Sequence, residues 1–337
     1  MEFALGTLCS VNLYEQGSEN LYSEIFDRIR ETENLMSVNI PSSDISRINA
    51  AAGITPVHIH EETFNVIKNA VYFAQISGGA FDPSIGPIVS LWGIGNDDSR
   101  RAGNFASNTV NFTASSRIPD REKIEELLPL VNWRNIELYE DTGSVFLTQA
   151  GMALDLGAIA KGYAADEVVK IVEKAGIKRA LIDLGGNIIA AGIKKDKKPW
   201  RVGIQSPDEA RGEAIGYLQI TTKTALAEQS LPVKTIVTSG TYERFFEEDG
   251  IRYHHIFDPS LGYPVKNGIV SVTVIADISR DADALSTAAF VLGYEKGSAL
   301  IESAAGAQAV FVFEDRSIRL TSGADFILTD NIYVIEY

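Results

Sequence analysis

Hydrophobic residues recur every three to four positions in several parts of the chain, which is the spacing of an amphipathic helix. This pattern predicts helices over 21–35, 62–76, 120–129, 164–175, 281–292 and 295–304. Glycine just beyond a periodic segment is typical of a helix end. Gly78 and Gly79 follow the second predicted helix in this way, and Gly176 follows the fourth.

Shorter runs of β-branched and aliphatic residues predict strands. They cover 4–14, 153–156, 180–184, 201–205, 233–240, 270–276, 308–314, 317–321 and 331–336, with short strands within 134–148. Residues 242–258 are expected to form a hairpin that returns through His254 and His255. Strands and helices do not alternate strictly, so the predicted class is α+β, with mixed or antiparallel sheets flanked by helices.

The chain contains no internal repeat and no convincing linker, so we expect a single domain over 1–337. Residues 93–118 are rich in Gly, Asn, Asp and Ser, and predict a long surface excursion from that domain.

The composition is that of a globular protein, with 45% hydrophobic and 22% charged residues. No apolar run approaches the roughly 20 residues of a membrane helix, so no transmembrane segment is expected. The formal charge of −15 argues against nucleic acid or anionic lipid as a general partner. An anionic ligand still has a route to binding, through a metal ion or a helix N-terminus.

Cys9 is the one cysteine, which excludes an intramolecular disulfide and thiolate zinc clusters. Residues 1–12 lack the basic and then apolar pattern of a signal peptide, and Cys9 does not resemble a lipid-attachment site.

Asp283 and Thr287 are four residues apart on a predicted helix, so they share one face. A carboxylate and a hydroxyl placed there suit a hard cation such as Mg²⁺ or Ca²⁺. The competing interpretation is purely structural: Asp281 caps the helix, and Thr287 bonds back to a carbonyl.

Residues 155–166 form a Gly-containing turn that enters a helix, which is a favourable seat for a phosphate group. Lys161 would add a positive charge. The segment matches neither a P-loop nor a dinucleotide fingerprint, and a tight turn with a solvated lysine is the alternative.

His255 lies in a third polar segment, after residues 238–242, and is a candidate general base. A packing role for one or both of His254 and His255 is the alternative. The GxSxG, HExxH and Cys–His patterns are absent, so covalent serine hydrolysis and zinc proteolysis have no support in the sequence.

Taken together, these segments resemble the ApbE family, the FAD:protein FMN transferases. The resemblance runs in order along nearly the whole chain. It covers 5–7, 36–39, 46–49, 79–83, 86–87, 91–93, 155–166, 183–187, 239–242, 255–259, 262–264 and 283–287.

The resemblance implies an enzyme that requires one or two Mg²⁺ ions and takes FAD as its substrate. It would cleave the FAD pyrophosphate, attach FMN to a threonine of an acceptor protein and release AMP. The implied metal ligands are Asp283, Thr287 and the backbone carbonyl of Ala158. The implied FAD contacts are Ala80, Phe81, Asp82, Lys161, Ser239, Gly240 and His255. His255 is the first choice for the base, and Asp283 the second.

Two positions depart from the family pattern as we interpret it. Leu5 stands where the family motif usually has methionine, a change that keeps an apolar side chain. Asn39 stands where many relatives carry a tyrosine that covers the adenine side of FAD. A smaller residue should loosen that contact, so we expect hydrolysis of FAD to FMN and AMP alongside transfer.

Two other functions compete with this one. The chain would be a protein that binds or stores FAD without turnover, or a purely structural protein. Oxygen ligands of the Asp283 and Thr287 type favour the enzyme, since binding FAD alone needs no Mg²⁺ site. The acceptor, by resemblance, is a subunit of a redox complex with a Ser/Thr-rich flavinylation motif. The expected location, also by resemblance, is extracytoplasmic: periplasmic, or as a lipoprotein whose signal was trimmed. A cytoplasmic location stays open.

Overall fold

A computed structural model of the chain describes residues 1–15, 17–94, 118–210, 212–222 and 231–336. The chain divides into two compact units, which are described separately. Unit 1 comprises Met1–Glu33, Ile159–Ser239 and Gly268–Tyr337, and unit 2 comprises Asn34–Ala158 and Gly240–Asn267. The single domain over 1–337 stays a prediction. The predicted excursion at 93–118 lies outside the described residues, apart from 93, 94 and 118.

The helices and strands are numbered in chain order. The helices are α1 Glu19–Met36, α2 Asp44–Ala50, α3 Glu61–Ile76, α4 Gly86–Trp92, α5 Arg121–Leu127, α6 Ala160–Lys174, α7 Ser279–Leu292 and α8 Tyr294–Ser303. The strands are β1 Glu2–Ala4, β2 Thr7–Leu13, β3 Val57–His58, β4 Ile136–Tyr139, β5 Ser144–Leu147, β6 Ala180–Leu184, β7 Asn187–Ala191, β8 Trp200–Gln205, β9 Ala214–Ile220, β10 Val233–Gly240, β11 Phe245–Glu248, β12 Ile251–His254, β13 Phe257–Asp258, β14 Tyr263–Pro264, β15 Ile269–Ala276, β16 Gln308–Phe313, β17 Ser317–Leu320, β18 Phe326–Leu328 and β19 Val334–Glu336.

Unit 1 is built on a nine-stranded sheet with the order β1-β2-β6-β7-β10-β15-β16-β17-β19. The pairs β2/β6, β6/β7, β7/β10 and β15/β16 are antiparallel, whereas β17 and β19 are parallel. The mixed sheet with flanking helices confirms the predicted α+β class. Among the described helices, none combines the length and the apolar character needed to cross a membrane.

Both faces of this sheet are buried, because side chains alternate along each strand. Ile182 and Ile189 face one core, where they pack with Val168 and Val172 of α6. Ala190, the next residue after Ile189, faces a second core, beneath the small sheet of β8, β9 and β18. Helix α7 packs against α6, α8 and β15, and it brings several of the candidate site residues to unit 1.

Unit 2 contains α2 to α5 and three small sheets, and much of its core is aromatic. Trp92 is buried at the end of α4 and lies 5.7–6.3 Å, centroid to centroid, from the rings of Phe246, Tyr253, Phe257 and Tyr263. Its indole N–H donates to the Gly262 carbonyl at 2.8 Å. This cluster anchors the β11–β12 hairpin that leads into His254 and His255, as the sequence predicted.

Two predicted strands are wrong. Residues 4–14 are a hairpin, β1 and β2, because Leu5 and Gly6 turn the chain at φ of 53° and 69°. Residues 153–156 form no strand and keep only a single bridge, between Ile85 and Ala153. The apolar pattern there reflects burial of an extended segment, not sheet pairing. Helix α2, helix α4 and strands β7, β9 and β18 are additional elements that the pattern did not predict.

Candidate functional site

Asp283 and Thr287 lie one turn apart on α7, as the sequence predicted. The structural alternative fails in its details. The side chain of Asp281 pairs with the Arg280 guanidinium at 2.9 Å. The Ser279 and Arg280 N–H groups at the start of α7 instead donate to the carboxylate of Asp166, from α6.

The Asp283 carboxylate is 3% exposed and lies against the first turn of α6. Its Oδ2 accepts a 2.9 Å hydrogen bond from the Gly162 N–H, and its Oδ1 lies 3.8 Å from Lys161 Nζ. Burial raises the pKa of the Asp283 carboxyl, while Lys161 and the Gly162 N–H partly offset that effect. Burial therefore leaves the carboxylate with less stabilisation of its charge than water would give it.

Thr287 belongs to a group of three hydroxyls. Ser239 Oγ, near the end of β10, lies 3.2 Å from Thr287 Oγ1 and 2.8 Å from Ser286 Oγ. The hydroxyl that bonds back along the helix is that of Ser286, which donates to the Asp283 carbonyl at 2.9 Å. Thr287 is thereby free of the role that the structural alternative gave it.

These residues fit a hard cation. A buried carboxylate with raised pKa gains from a nearby positive charge, and the surrounding hydroxyl oxygens of Thr287 and Ser239 are ligand types that Mg²⁺ accepts. Across the described residues, His, Cys, Asp and Glu side chains form no cluster of three or more suited to a metal ion. The donor set here is of a different kind, with one carboxylate among hydroxyls.

Leu5 lies in the β1–β2 turn, and the motif that contains it packs on another family segment of unit 1. A Cβ at Gly185 would lie 2.2 Å from Thr7 Oγ1, so the turn at 183–187 closes directly over Thr7. Asp183 Oδ1 holds this second turn by accepting the Gly186 N–H at 3.0 Å. Gly185 and Gly186 both have positive φ, which glycine allows at low cost.

Ala80, Phe81 and Asp82 lie in a loop of unit 2 between α3 and α4. Both oxygens of the buried Asp82 carboxylate are engaged: Oδ1 accepts from Ser84 at 2.6 Å and Oδ2 from the Trp133 N–H at 3.1 Å. Burial raises its pKa, against those hydrogen bonds. The Phe81 ring is buried edge-on to Phe73 at 6.4 Å. Asp82 and Phe81 therefore shape this loop, with Ala80 partly exposed beside them.

Asn39 is exposed in the turn that follows α1. The Ser43 hydroxyl donates to the Ser37 carbonyl at 2.7 Å, and the Ser46 hydroxyl donates to the Val38 carbonyl at 3.2 Å. Two residues that flank Asn39 are thus tied to α2, while the Asn39 side chain points into a position with room for a larger group.

Ala158 follows a segment of unit 2 whose backbone is held on two sides. The Asn49 side chain makes two hydrogen bonds to Leu154, at 2.7 Å to its N–H and 3.0 Å to its carbonyl. The Asp155 N–H donates to the Pro83 carbonyl at 2.9 Å. These bonds replace the strand ladder that the sequence predicted and fix the approach to Ala158.

His255 follows β12, and its ring orientation is set by the backbone. Both its N–H and its Nδ1 lie 3.1 Å from the Arg244 carbonyl oxygen. A carbonyl only accepts hydrogen bonds, so Nδ1 carries the proton of the neutral ring and Nε2 is the basic nitrogen. Gly240, at the end of β10, has the Tyr242 ring where a Cβ would be, at 2.9 Å.

His254 is a structural residue. It is buried, its Nε2 donates to the Val265 carbonyl at 2.9 Å, and its Nδ1 accepts the Ile256 N–H at 3.2 Å. Burial lowers the pKa of His254 to about 4, so it stays neutral at physiological pH.

Three residues at this site received no role from the sequence. Gly162 donates its N–H to Asp283, Ser286 bridges Ser239 to the Asp283 carbonyl, and Asp166 caps α7. The signal present for two of them was weak: Gly162 and Asp166 are four residues apart, and so share a face of α6.

Comparison with known proteins agrees with these features. The model of the ApbE family matches residues 5–311. A protein of Treponema pallidum named FAD:protein FMN transferase is 37% identical over 352 residues, covering 99% of this chain and 88% of that protein. One of Klebsiella pneumoniae with the same name is 39% identical over 318 residues, covering 94% of this chain and 90% of that protein.

Solved structures show the same fold. The ApbE protein of Thermotoga maritima superposes with a TM-score of 0.76 at 32% identity, over 97% of this chain and 95% of that one. The flavin transferase ApbE of Vibrio cholerae gives a TM-score of 0.74 at 25% identity, over 98% and 96%. The match of the family model to most of the chain, together with these relatives, shows that this protein belongs to the ApbE family.

Proposed function

We propose that this chain is an FAD:protein FMN transferase that requires Mg²⁺. The observation that carries the proposal is the buried Asp283 carboxylate beside Lys161 and the Thr287–Ser239 hydroxyls, in a family whose curated relatives carry this name. The acceptor is a protein with a threonine in a Ser/Thr-rich motif, a redox-complex subunit by family resemblance.

The reaction is a phosphoryl-group transfer. The acceptor threonine oxygen attacks the FMN-side phosphorus of FAD and forms a new P–O bond. The bond from that phosphorus to the bridging oxygen breaks, and its electron pair leaves with AMP. The threonine proton passes to a base. With water in place of threonine, the same displacement gives free FMN and AMP, which we propose as a second activity.

His255 is the proposed base. Its Nδ1–H is committed to the Arg244 carbonyl, so the neutral ring presents Nε2 as the proton acceptor. The backbone bond from the His255 N–H to the same carbonyl holds the residue in place. A positioned base of this kind contributes about 10²- to 10⁴-fold to such a reaction.

Asp283 and Thr287 are the proposed side-chain metal ligands, with the Ala158 carbonyl as a further ligand on family resemblance. When bound, Mg²⁺ would neutralise charge on the pyrophosphate oxygens, the main electrostatic barrier to their cleavage. Lys161, at the first turn of α6, adds a positive charge and binds an anionic group. The α6 N-terminus supports the same role through its unpaired N–H groups.

The remaining candidate residues take binding roles in this proposal. Ser239 and Gly240 are proposed to contact the FAD phosphates or flavin. Ala80, Phe81 and Asp82 shape a loop that contacts FAD, and Leu5 and Asn39 contact it from their two turns. The extracytoplasmic location is a proposal on resemblance alone, and cell fractionation tests it.

The test is incubation of the purified chain with FAD and Mg²⁺, with AMP and FMN followed by chromatography. A peptide with a Ser/Thr-rich motif serves as the acceptor. We expect AMP release that EDTA abolishes, with FMN appearing on the peptide. Asp283→Ala should remove the activity, whereas Asp281→Ala, two residues away on the same helix, should keep it. FAD bound without AMP release, even with the peptide, would instead support a storage protein.

A further inference from the structure

Asp166 is a buried carboxylate for which the proposed reaction has no use. It lies on α6, one turn after Gly162, and its two oxygens bind two consecutive backbone groups of another helix. Oδ1 accepts the Ser279 N–H at 2.8 Å, and Oδ2 accepts the Arg280 N–H at 2.9 Å. These N–H groups belong to the first turn of α7 and have no carbonyl partner within that helix.

The residues at the start of α7 do not cap it themselves. The N-cap residue is Ile278, whose side chain has no hydrogen-bonding atom. The Ser279 hydroxyl faces the sheet, where it donates to Asn187 Oδ1 at 2.5 Å and accepts from Thr235 at 3.0 Å. Capping is therefore supplied from α6, by a residue 113 positions earlier in the chain.

Helix α6 thus holds α7 at two levels. Asp166 binds residues 279 and 280, and the Gly162 N–H binds the Asp283 carboxylate at 2.9 Å. The two contacts are one turn apart on each helix. One contact alone would leave α7 able to rotate or slide, whereas two along its length define both its rotation and its axial position.

We infer that Asp166 is a positioning residue of the metal site: by capping α7 it sets the positions of Asp283 and Thr287 and thereby the affinity for the cation. The inference rests on the proposed function, since it assumes that Asp283 and Thr287 hold a metal ion. Partners that orient metal ligands typically contribute about 10- to 100-fold to metal affinity.

Asp44 offers a matched control. It is also a buried carboxylate, 1% exposed, and its Oδ2 accepts the backbone N–H of His60 at the start of α3. It belongs to unit 2 and touches none of the proposed metal ligands in unit 1. Asp44→Asn therefore reports what loss of a buried capping carboxylate does to stability alone.

The experiment measures binding of Mn²⁺, the EPR-visible substitute for Mg²⁺, to the full chain without FAD, together with the melting temperature. We expect Asp166→Asn to weaken Mn²⁺ binding about tenfold or more while the protein remains folded by circular dichroism. Asp44→Asn should lower the melting temperature and leave Mn²⁺ affinity within about twofold of wild type.

A second variant separates position from charge. Ile278 is exposed and has the extended backbone of an N-cap residue, at φ −120° and ψ 123°. Ile278→Ser supplies a neutral cap from α7 itself, so the double variant with Asp166→Asn should recover most of the lost Mn²⁺ affinity. If Asp166→Asn unfolds the chain, the double variant against wild type still provides the comparison.

The outcomes are distinct. Wild-type protein that binds no Mn²⁺ would refute the metal site of the proposed function, and this inference with it. Wild-type binding that Asp166→Asn leaves unchanged would refute the inference alone. Weakened binding that Ile278→Ser does not restore would show that Asp166 acts by its charge, and would equally overturn the positioning role.

Discussion

The backbone N–H of Gly162 donates a 2.9 Å hydrogen bond to the carboxylate of Asp283, 121 residues away in the chain. The contact requires α6 and α7 to approach closely. A Cβ at Gly162 would lie 2.4 Å from the Ser279 carbonyl oxygen and 2.6 Å from Arg280 Cα, both of which are backbone atoms. Glycine is therefore required here by space.

Gly162→Ala should push α7 away from α6 and disturb Asp283. We expect a loss of about 1–3 kcal/mol in the free energy of unfolding, with weakened binding of Mn²⁺. Denaturant titration and EPR measure the two effects.

Gly297→Ala is the control for this substitution. Gly297 lies on α8, and a Cβ there would be 2.6 Å from the Ala289 carbonyl oxygen on α7. It overpacks α7 from the side of α8, so stability should fall while Mn²⁺ affinity stays close to wild type. Equal losses of metal affinity in both variants would contradict a specific role for the Gly162 contact.

His255 should be required for catalysis and dispensable for stability. His255→Ala removes the basic Nε2, and AMP release should fall about 10²- to 10⁴-fold. Added imidazole should restore part of the rate, because a free base can occupy the space of the missing ring. Steady-state rates with and without imidazole test this prediction.

His254→Gln is the matched variant at the neighbouring position. His254 is committed to the Val265 carbonyl and the Ile256 N–H, so its replacement should lower the melting temperature and leave the rate largely intact. Imidazole should have no effect on it. A catalytic loss in His254→Gln as large as that in His255→Ala would reverse the two assignments.

The part of the site that lies within one helix could be predicted from the sequence. Asp283 and Thr287 are four residues apart, and helical geometry alone places them on one face. Lys161 was likewise predicted to lie at the start of a helix, and α6 begins at Ala160. Local periodicity and the resemblance to the ApbE family sufficed for both.

Contacts between distant segments could not be predicted in the same way. The Asp166 cap depends on the packing of α6 against α7, which no local pattern encodes. Residues 153–156 look like a strand because they are apolar and buried, but their backbone groups bind Asn49 and Pro83 instead. The turn at Leu5 was missed because a leucine at φ 53° is uncommon and the pattern around it is continuous.

The stability of the chain should depend on pH through His254. Its pKa is about 4 in the folded protein and 6.5 when unfolded, because burial disfavours the charged ring. Between these values the unfolded chain binds the proton more strongly, so this group's contribution is lost as the pH falls from 6.5 to 4. The shift of about 2.5 units corresponds to about 3 kcal/mol.

Comparison of wild type with His254→Gln isolates this contribution. The wild-type free energy of unfolding should fall more steeply than that of the variant between pH 6.5 and 4. The comparison is needed because Asp166 acts in the opposite direction: burial raises its pKa to about 6, so its contribution falls as the pH rises through that value. Denaturant titrations across this range that give parallel curves would contradict the prediction.

Asn39 should control how FAD is divided between hydrolysis and transfer. It is exposed in a turn whose neighbours Ser37 and Val38 are held by Ser43 and Ser46, so a larger side chain fits without disturbing the core. Asn39→Tyr supplies an aromatic face that can cover the adenine side of FAD and exclude water. We expect slower release of free FMN and FAD retained through purification, with transfer to an acceptor peptide preserved.

Val38→Tyr is the control, because Val38 is also exposed and adjacent in the same turn. It adds the same ring one residue away, with the side chain directed elsewhere, and should leave the ratio of hydrolysis to transfer unchanged. Chromatography of free FMN and of flavinylated peptide gives this ratio for each variant. Hydrolysis that is as fast in Asn39→Tyr as in wild type would show that water reaches the pyrophosphate by another route and that Asn39 does not set the balance.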